Sequence, residues 1–206
     1  MNTITKIEAT SIEDSRGTPT LLVTVFSGEQ SASFSVPSGA STGAHEAYEL
    51  RDPTTKSVAP AIERIETVLA PALIGMSVLD QRMIDTTLCS LDADSQKRTV
   101  GANSILGVSG AVARLGALLS GVPLFEYLRQ QFPSVPHGAE AFPYFYFNLI
   151  NGGKHAHTSL AFQEYHIVPQ CETPLENFVC AKAVYKTLGD IMEERFSGTV
   201  LGDEGG

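Results

Sequence analysis

The sequence predicts an α+β domain followed by the opening strands of an α/β barrel that these 206 residues leave incomplete. Three observations predict it. Strand-like segments cluster before residue 36, and helix-like segments follow them without alternation, the order expected of an α+β unit. Past a break rich in proline and glycine, short apolar strands each run into a polar or glycine-rich turn, as at the C-terminal face of an α/β barrel.

Ile4 to Ile12 and Thr20 to Phe26 are rich in Ile, Val, Thr and Leu, and Ser27-Gly28-Glu29-Gln30 offers a turn before Ser31 to Val36, so this region reads as a small antiparallel sheet. From Ser57 the period changes. Pro60 suits a first helical turn, and Ile62, Ile65, Val68 and Leu69 recur at helical spacing. A second helix covers Gln81 to Cys89. Asn103 then caps a long helix whose Ile105, Leu106, Val108, Ala111, Val112, Leu115, Leu118 and Leu119 form a wide apolar face, with Gly121 and Pro123 ending it. Residues 1–130 therefore form one domain, and 131–141, with Pro133, Pro136 and Gly138 and no periodic pattern, form a linker. In 142–206 the sequence predicts strands over Phe142 to Ile150 and Leu160 to Pro169, a helix over Leu175 to Phe196, and a third strand starting at Thr199 to Leu201. These are the first three strands of a partial barrel, and a closed barrel of this kind needs eight.

Hydrophobic residues make up 43% of the chain and charged residues 18%, enough apolar material for a folded core. The net charge of −9 and pI near 5.0 argue against gripping nucleic acid or anionic lipid through a broad basic surface. No basic start leads into a long apolar run, and no stretch supplies the ~20 consecutive apolar residues of a membrane helix, so no membrane span is expected. Cys89, Cys171 and Cys180 show neither CxxC spacing nor an even disulfide framework, which suits small buried thiols in a reducing cytoplasm.

Three segments carry chemistry. Val36-Pro37-Ser38-Gly39-Ala40-Ser41-Thr42-Gly43 is a loop of small residues. Asn151-Gly152-Gly153-Lys154-His155-Ala156 is followed closely by Gln163-Glu164, and Gly202-Asp203-Glu204-Gly205-Gly206 places an acidic pair between glycines after a β-branched run. Together they suggest a site assembled from separate loops. Simpler motifs fail on inspection. Gly153-Lys154 is not a phosphate-binding P-loop, because Asn148 stands where the first glycine is needed and His155 follows the lysine. His45-Glu46 opens like a zinc-protease helix, but Glu49 holds the second histidine position. The pair His155-x-His157 decides nothing by itself.

Asp14-Ser15-Arg16-Gly17-Thr18-Pro19-Thr20, the run SGASTGAHEAYELRD from Ser38 to Asp52, LDADSQKRTVGANSILGVS from Leu91 to Ser109, NLINGGKHA from Asn148 to Ala156, FQEYHIVP from Phe162 to Pro169 and the terminal GDEGG occur in one order. In this order they resemble the enolase family, through essentially the whole chain, covering that family's N-terminal domain and the opening of its barrel. The resemblance implies a glycolytic, cytoplasmic lyase, phosphopyruvate hydratase, that reversibly dehydrates 2-phosphoglycerate to phosphoenolpyruvate with magnesium, as a homodimer or higher homo-oligomer when full length.

The same resemblance implies roles for individual residues. Removing a proton beside a carboxylate builds negative charge that divalent cations can stabilise, after which hydroxide must leave. Glu204 matches the family's general acid for that departure, and Glu164 matches a second glutamate near the leaving group, where a paired carboxylate raises its neighbour's proton affinity. His155 matches a mobile-loop histidine that faces substrate, Gln163 and Ala40 match positions beside substrate, and Ser41 matches a serine that ligates the second magnesium on closure. His45 on the same loop ranks below these. Arg16 matches a residue used at the subunit contact, against the plainer role of an intrachain ion pair.

Lys154, His157 and Thr158 depart from the family, which commonly has small residues there and serine in place of Lys154. The resemblance also places the lysine base and the acidic magnesium ligands downstream of GDEGG. Three functions are therefore expected to compete: an enolase whose sequence continues past Gly206, one half of a split enolase completed by a partner chain, and a non-catalytic enolase-derived binding module.

Overall fold

The computed structural model describes residues 2–39, 42–132, 142–153, 155–156, 158–196, 201–202 and 205. The chain divides into two compact units, Met1–His137 and Gly138–Gly206.

The N-terminal unit opens with β1 (Lys6–Glu13), β2 (Pro19–Ser27) and β3 (Gln30–Ser35), an antiparallel sheet in the order β1-β2-β3. Register is set by a single inward face. Leu21, Val23 and Val25 alternate along β2 and are fully buried, and Ile7 and Ala9 of β1 stand opposite Val25 and Val23. Gly28, with φ of +61°, supplies the left-handed turn between β2 and β3.

The helical layer begins with α1 (Ala59–Arg64), continues through a π-helical turn at Ile65–Leu69, and ends in α2 (Ala70–Leu73). Pro71 explains the widened turn. It has no N–H and its ring crowds the carbonyl four residues back, so the preceding turn opens and the Ala70 N–H reaches the Ile65 carbonyl. Ala61, Ile65, Leu69 and Leu73, four apart, are fully buried on one face. Next comes α3 (Gln81–Ser90), whose N-cap Asp80 accepts the Met83 N–H at 3.0 Å.

The central helix is α4 (Ala102–Ser120), ended by left-handed Gly121 with φ of +67°. Asn103 is not its cap. Gly101 holds that place, and the Asn103 side chain instead accepts the Leu50 N–H at 2.9 Å and donates to the Leu50 carbonyl at 3.1 Å. Only part of the expected apolar face is inward: Val108, Ala111, Val112 and Leu115 are fully buried, whereas Leu106 and Leu118, displaced around the helix, are exposed. By length and composition α4 is apolar enough to cross a membrane, but more than half of it is buried in this unit, as a core helix is. It packs closely on the sheet at glycines. A Cβ on Gly107 would lie 2.6 Å from Val23, and one on Gly110 2.7 Å from the Phe34 ring. A further helix, α5 (Leu124–Gln131), extends into the segment that the sequence assigns partly to the linker. It is anchored by Tyr127, buried against α4, whose hydroxyl donates to the Val78 carbonyl at 3.2 Å.

The C-terminal unit contains β4 (Phe147–Asn151), β5 (Glu164–Ile167) and α6 (Pro174–Phe196). Here the structure departs from the buried strands of a parallel barrel. β4 and β5 pair antiparallel with a bulge between Asn148 and Ile150, and β5 is largely exposed. β4 starts at Phe147 and not at Phe142; Pro143 has no N–H to give a ladder at its own position. α6 begins with a reciprocal capping box, in which Thr173 N–H donates to Glu176 Oε2 at 2.9 Å and Glu176 N–H donates to Thr173 Oγ1 at 3.2 Å. It buries Ala181 and leaves Leu175, Phe178, Val179 and Phe196 exposed. Of the third expected strand, Leu201 is described and is not in a strand, while Thr199 and Val200 lie outside the described residues. No closed barrel exists among the described residues. The cysteines also differ from expectation: Cys89 and Cys171 are exposed and Cys180 is half-buried.

Candidate active site

The C-terminal unit builds its candidate site on the turn that leaves β4. Gly152 N–H donates to the Gln163 carbonyl at 2.9 Å, Gly153 N–H to the Leu160 carbonyl at 2.9 Å, and His155 N–H to the Gly152 carbonyl at 3.0 Å. Glycine is required at 152, since a Cβ there would overlap the Phe162 carbonyl, and Gly153 turns the chain with φ of +54°. The pair thus folds the His155 loop onto the start of β5.

This arrangement brings His155, Gln163 and Glu164 together. The Gln163 Nε2 lies 2.9 Å from His155 Nε2; with the amide donating, that ring nitrogen is the acceptor and the imidazole proton sits on Nδ1. Nδ1 faces Glu164 Oε1 at 3.7 Å, ion-pair range but too long for a hydrogen bond. The other Glu164 oxygen, Oε2, contacts His166 Nε2 at 2.8 Å. His166 was missed by sequence reasoning although its signal was present: two residues along a strand from Glu164, it shares that residue's face. The His155 side chain is 8% exposed against 32% for Glu164, so the imidazole sits inward and the carboxylate at the rim.

The terminal segment reaches the same turn. A Cβ on Gly202 would overlap the Asn151 amide and lie 3.0 Å from the His155 carbonyl, so only glycine fits there. Gly205 N–H donates to the Gly202 carbonyl at 2.9 Å, and the Tyr185 hydroxyl of α6 donates to the Gly205 carbonyl at 2.6 Å. Asp203 and Glu204 themselves lie outside the described residues, as do Lys154 and His157.

In the N-terminal unit, Ala40 and Ser41 likewise lie outside the described residues, but their approach is well defined. Arg16 donates to the Ser38 carbonyl at 2.9 Å and to Asp14 Oδ2 at 3.2 Å, an intrachain pairing. Arg51, which the sequence did not single out, donates to Ser38 Oγ at 3.3 Å, to the Pro19 carbonyl and to Glu49 Oε2 at 2.8 Å. Two guanidiniums thus hold the residue from which the small-residue loop departs. The Asp14 carboxyl is held below its ordinary range, first by the Thr18 N–H and then by its bonds to Arg16, against some desolvation. Farther along, Gln96 supports the loop by accepting the Tyr48 N–H on its carbonyl at 2.7 Å and donating its amide to the Ala44 carbonyl at 3.2 Å. Arg16, Ser38, Glu46, Arg51 and Arg98 line a cleft of about 770 Å³ in this unit. His45 is exposed.

The described residues do not form a metal centre: no group of three or more His, Cys, Asp and Glu among them is placed to hold an ion.

Residues 4–128 match the family model for the enolase N-terminal domain, and residues 139–206 match that for the enolase C-terminal TIM barrel domain. Enolase B of Dictyostelium discoideum is 42% identical over 211 residues, covering 98% of this chain and 47% of the relative. The enolase of Methanosarcina barkeri is 43% identical over 213 residues, covering 98% and 48%. That of Mycoplasmopsis synoviae is 40% identical over 217 residues, covering 100% and 47%. The chain spans about half the length of the curated relatives it matches. With matches to both domain models and identity of this order along its whole length, the chain belongs to the enolase family.

Proposed function

We propose that the chain supplies the N-terminal domain (1–130), the linker (131–141) and the opening barrel strands (142–206) of a magnesium-dependent lyase that reversibly dehydrates 2-phosphoglycerate to phosphoenolpyruvate in the cytoplasm. The observation that carries this reading is the cluster of His155, Gln163 and Glu164 under the Gly152 turn, on a chain that matches the enolase family along its length.

In this reading Glu164 acts at the site as a carboxylate. Flanked by His155 and His166, its negative charge beside Glu204 raises the proton affinity of Glu204, which then remains protonated to deliver a proton to the departing hydroxyl. In this reading His155 and Gln163 contact substrate from the Gly152 turn, and Ala40 and Ser41 are the substrate-contacting and magnesium-contacting positions of the Ser38–Gly43 loop, whose base is fixed by Arg16 and Arg51. Ser41 would be a magnesium ligand in this reading, and the described residues make no cage for the ion by themselves. The base and the main metal ligands belong to later barrel strands in this reading, and the completed protein is a homodimer or higher homo-oligomer.

A chimera tests the proposal: these 206 residues joined to the remaining half of the Dictyostelium discoideum relative, assayed for phosphoenolpyruvate formation with magnesium. Glu204→Gln in that chimera removes the proton at nearly constant volume, so turnover should fall by ~100-fold or more. Turnover within about a factor of two of the parent would remove Glu204 from the role of general acid.

A further inference from the structure

The α6 helix carries a side chain that reaches the terminal segment. Ala181, Tyr185, Leu188 and Met192 follow one another at alternating steps of a helical turn and form one stripe. Ala181 is buried and Leu188 and Met192 are half-buried, so this is the face that α6 turns toward the rest of its unit. From that face the Tyr185 hydroxyl donates to the Gly205 carbonyl at 2.6 Å, a short O–H···O bond. Gly205 is tied in turn to Gly202, whose carbonyl accepts the Gly205 N–H at 2.9 Å and so closes a turn around positions 203 and 204. The φ of +82° at Gly205 is one that glycine adopts freely. The other end of the turn is held by packing, since a Cβ on Gly202 would overlap the Asn151 amide and lie 3.0 Å from the His155 carbonyl. The turn is thus clamped twice, against the exit of β4 at Gly202 and by Tyr185 at Gly205.

We propose that Tyr185 is a positioning residue for the acid step: through the Gly205 carbonyl it fixes the turn that carries Glu204, and with it the direction from which the proton is delivered. The inference rests on the reading of Glu204 as the general acid. A proton donor has to lie within hydrogen-bond reach of the departing hydroxyl. Glycine follows Glu204 at 205 and 206 and stands two residues before it at 202, so the backbone there has more conformational freedom than any other residue type would give it. An outside bond is needed to remove that freedom, and misplacing a reacting group by about 1 Å costs on the order of 100-fold in rate. Tyr185 supplies the bond from a helix, a more rigid support than a loop. It adds neither a charge nor a proton to the reaction. Its hydroxyl bonds the backbone before any substrate arrives, so its loss falls on the rate of the chemical step and not on substrate binding.

The test uses the chimera described above. Tyr185→Phe removes the hydroxyl and keeps the ring, so kcat should fall by about tenfold with KM within about twofold of the parent. Tyr185→para-aminophenylalanine puts an N–H donor at the same ring position and should restore kcat to within about threefold. In the Glu204→Gln background no acid is left to aim, and there Tyr185→Phe should change the remaining rate by less than about twofold. Hydrogen exchange over residues 201–206, read by mass spectrometry, should be faster in Tyr185→Phe than in the parent, while exchange along α6 is the same in both. The proposal is overturned if Tyr185→Phe leaves kcat within about twofold of the parent, or raises KM with kcat unchanged. It is equally overturned if Tyr185→para-aminophenylalanine is as slow as Tyr185→Phe, if loss of the hydroxyl costs the same factor with and without Glu204, or if exchange over 201–206 does not change. A parent chimera without turnover, or Glu204→Gln as fast as the parent, removes instead the lyase reading on which the proposal rests, so the two failures are told apart.

Discussion

Replacing Asp92 tests how the loop between α3 and α4 is held, and through it the Gln96 contacts that support residues 44–48. Asp92 is 2% exposed. Its Oδ2 accepts the Val100 N–H at 2.8 Å and the Thr99 N–H at 2.9 Å, and its Oδ1 accepts the Asp94 N–H at 3.0 Å. Asp92→Ala strands all three donors. The Val100 bond is buried, so the loss there is the full desolvation penalty of about 2 kcal/mol; the other two are part-buried and water takes up some of each, at about 0.5–1 kcal/mol apiece. The sum is about 3–4 kcal/mol, a large share of the ~5–15 kcal/mol by which a domain is stable. Asp92→Asn keeps an acceptor for Val100 and Thr99 but turns an N–H toward Asp94, so about 2 kcal/mol is expected. Urea unfolding followed by circular dichroism, with midpoints compared at constant slope, reads both. The pH dependence supplies an independent check. Burial opposes ionisation of Asp92, but the N–H donors of Val100, Asp94 and Thr99 outweigh it and hold the carboxyl below its ordinary 3.8. A lowered folded value means that the contribution is complete above the ordinary value and is lost as pH falls from there through the folded value. The parent should therefore lose stability on acidification below about pH 4 more steeply than Asp92→Asn. A destabilisation by Asp92→Ala of less than about 1 kcal/mol would refute the assignment of this residue as the loop's anchor.

Three further predictions follow from packing and from the site. Gly116→Ala puts a methyl into the Tyr127 ring, so overpacking of about 1–3 kcal/mol exceeds the ~1 kcal/mol gained in helix propensity and the melting temperature should drop. Gly189→Ala on α6 meets nothing within 4 Å and should be neutral or stabilising by up to ~1 kcal/mol; equal effects of the two substitutions would contradict the close approach of α4 and α5. Native-state hydrogen exchange should show slow amides in α4 from Ile105 to Leu119 and fast ones in β5 and α6, which bury little, whereas equal protection would mean that the exposed face of the C-terminal unit is covered.

The N-terminal sheet and α4 were legible because each carries one clean period: Leu21, Val23 and Val25 at two, and Val108, Ala111, Val112 and Leu115 at helical spacing. The ends of these elements were less so. Asn103 has the chemistry of a cap, yet the positive φ available to Gly101 started the helix and freed Asn103 to bind Leu50. The π-helical turn before Pro71 and the helix of Tyr127 were missed because each depends on a tertiary contact or a local clash that no period reports. In the site, the order of the motifs pointed to a site assembled from separate loops, but nothing in those motifs fixes the loop closure that puts His155 beside Gln163 and Glu164. Arg51 had no sequence signal at all: its donors go to carbonyls and a hydroxyl brought near by folding.

The most direct test of the lyase reading is magnesium-dependent turnover of 2-phosphoglycerate, measured in parallel on the 206-residue chain and on the chimera that completes its barrel. The reading predicts no measurable phosphoenolpyruvate from the chain alone, because it assigns the base and the main metal ligands to later strands, and turnover at ordinary enzyme rates, on the order of 1–1000 per second, from the chimera. Turnover at such rates by the chain alone, or a folded chimera that binds 2-phosphoglycerate and magnesium without dehydrating it, would contradict the account.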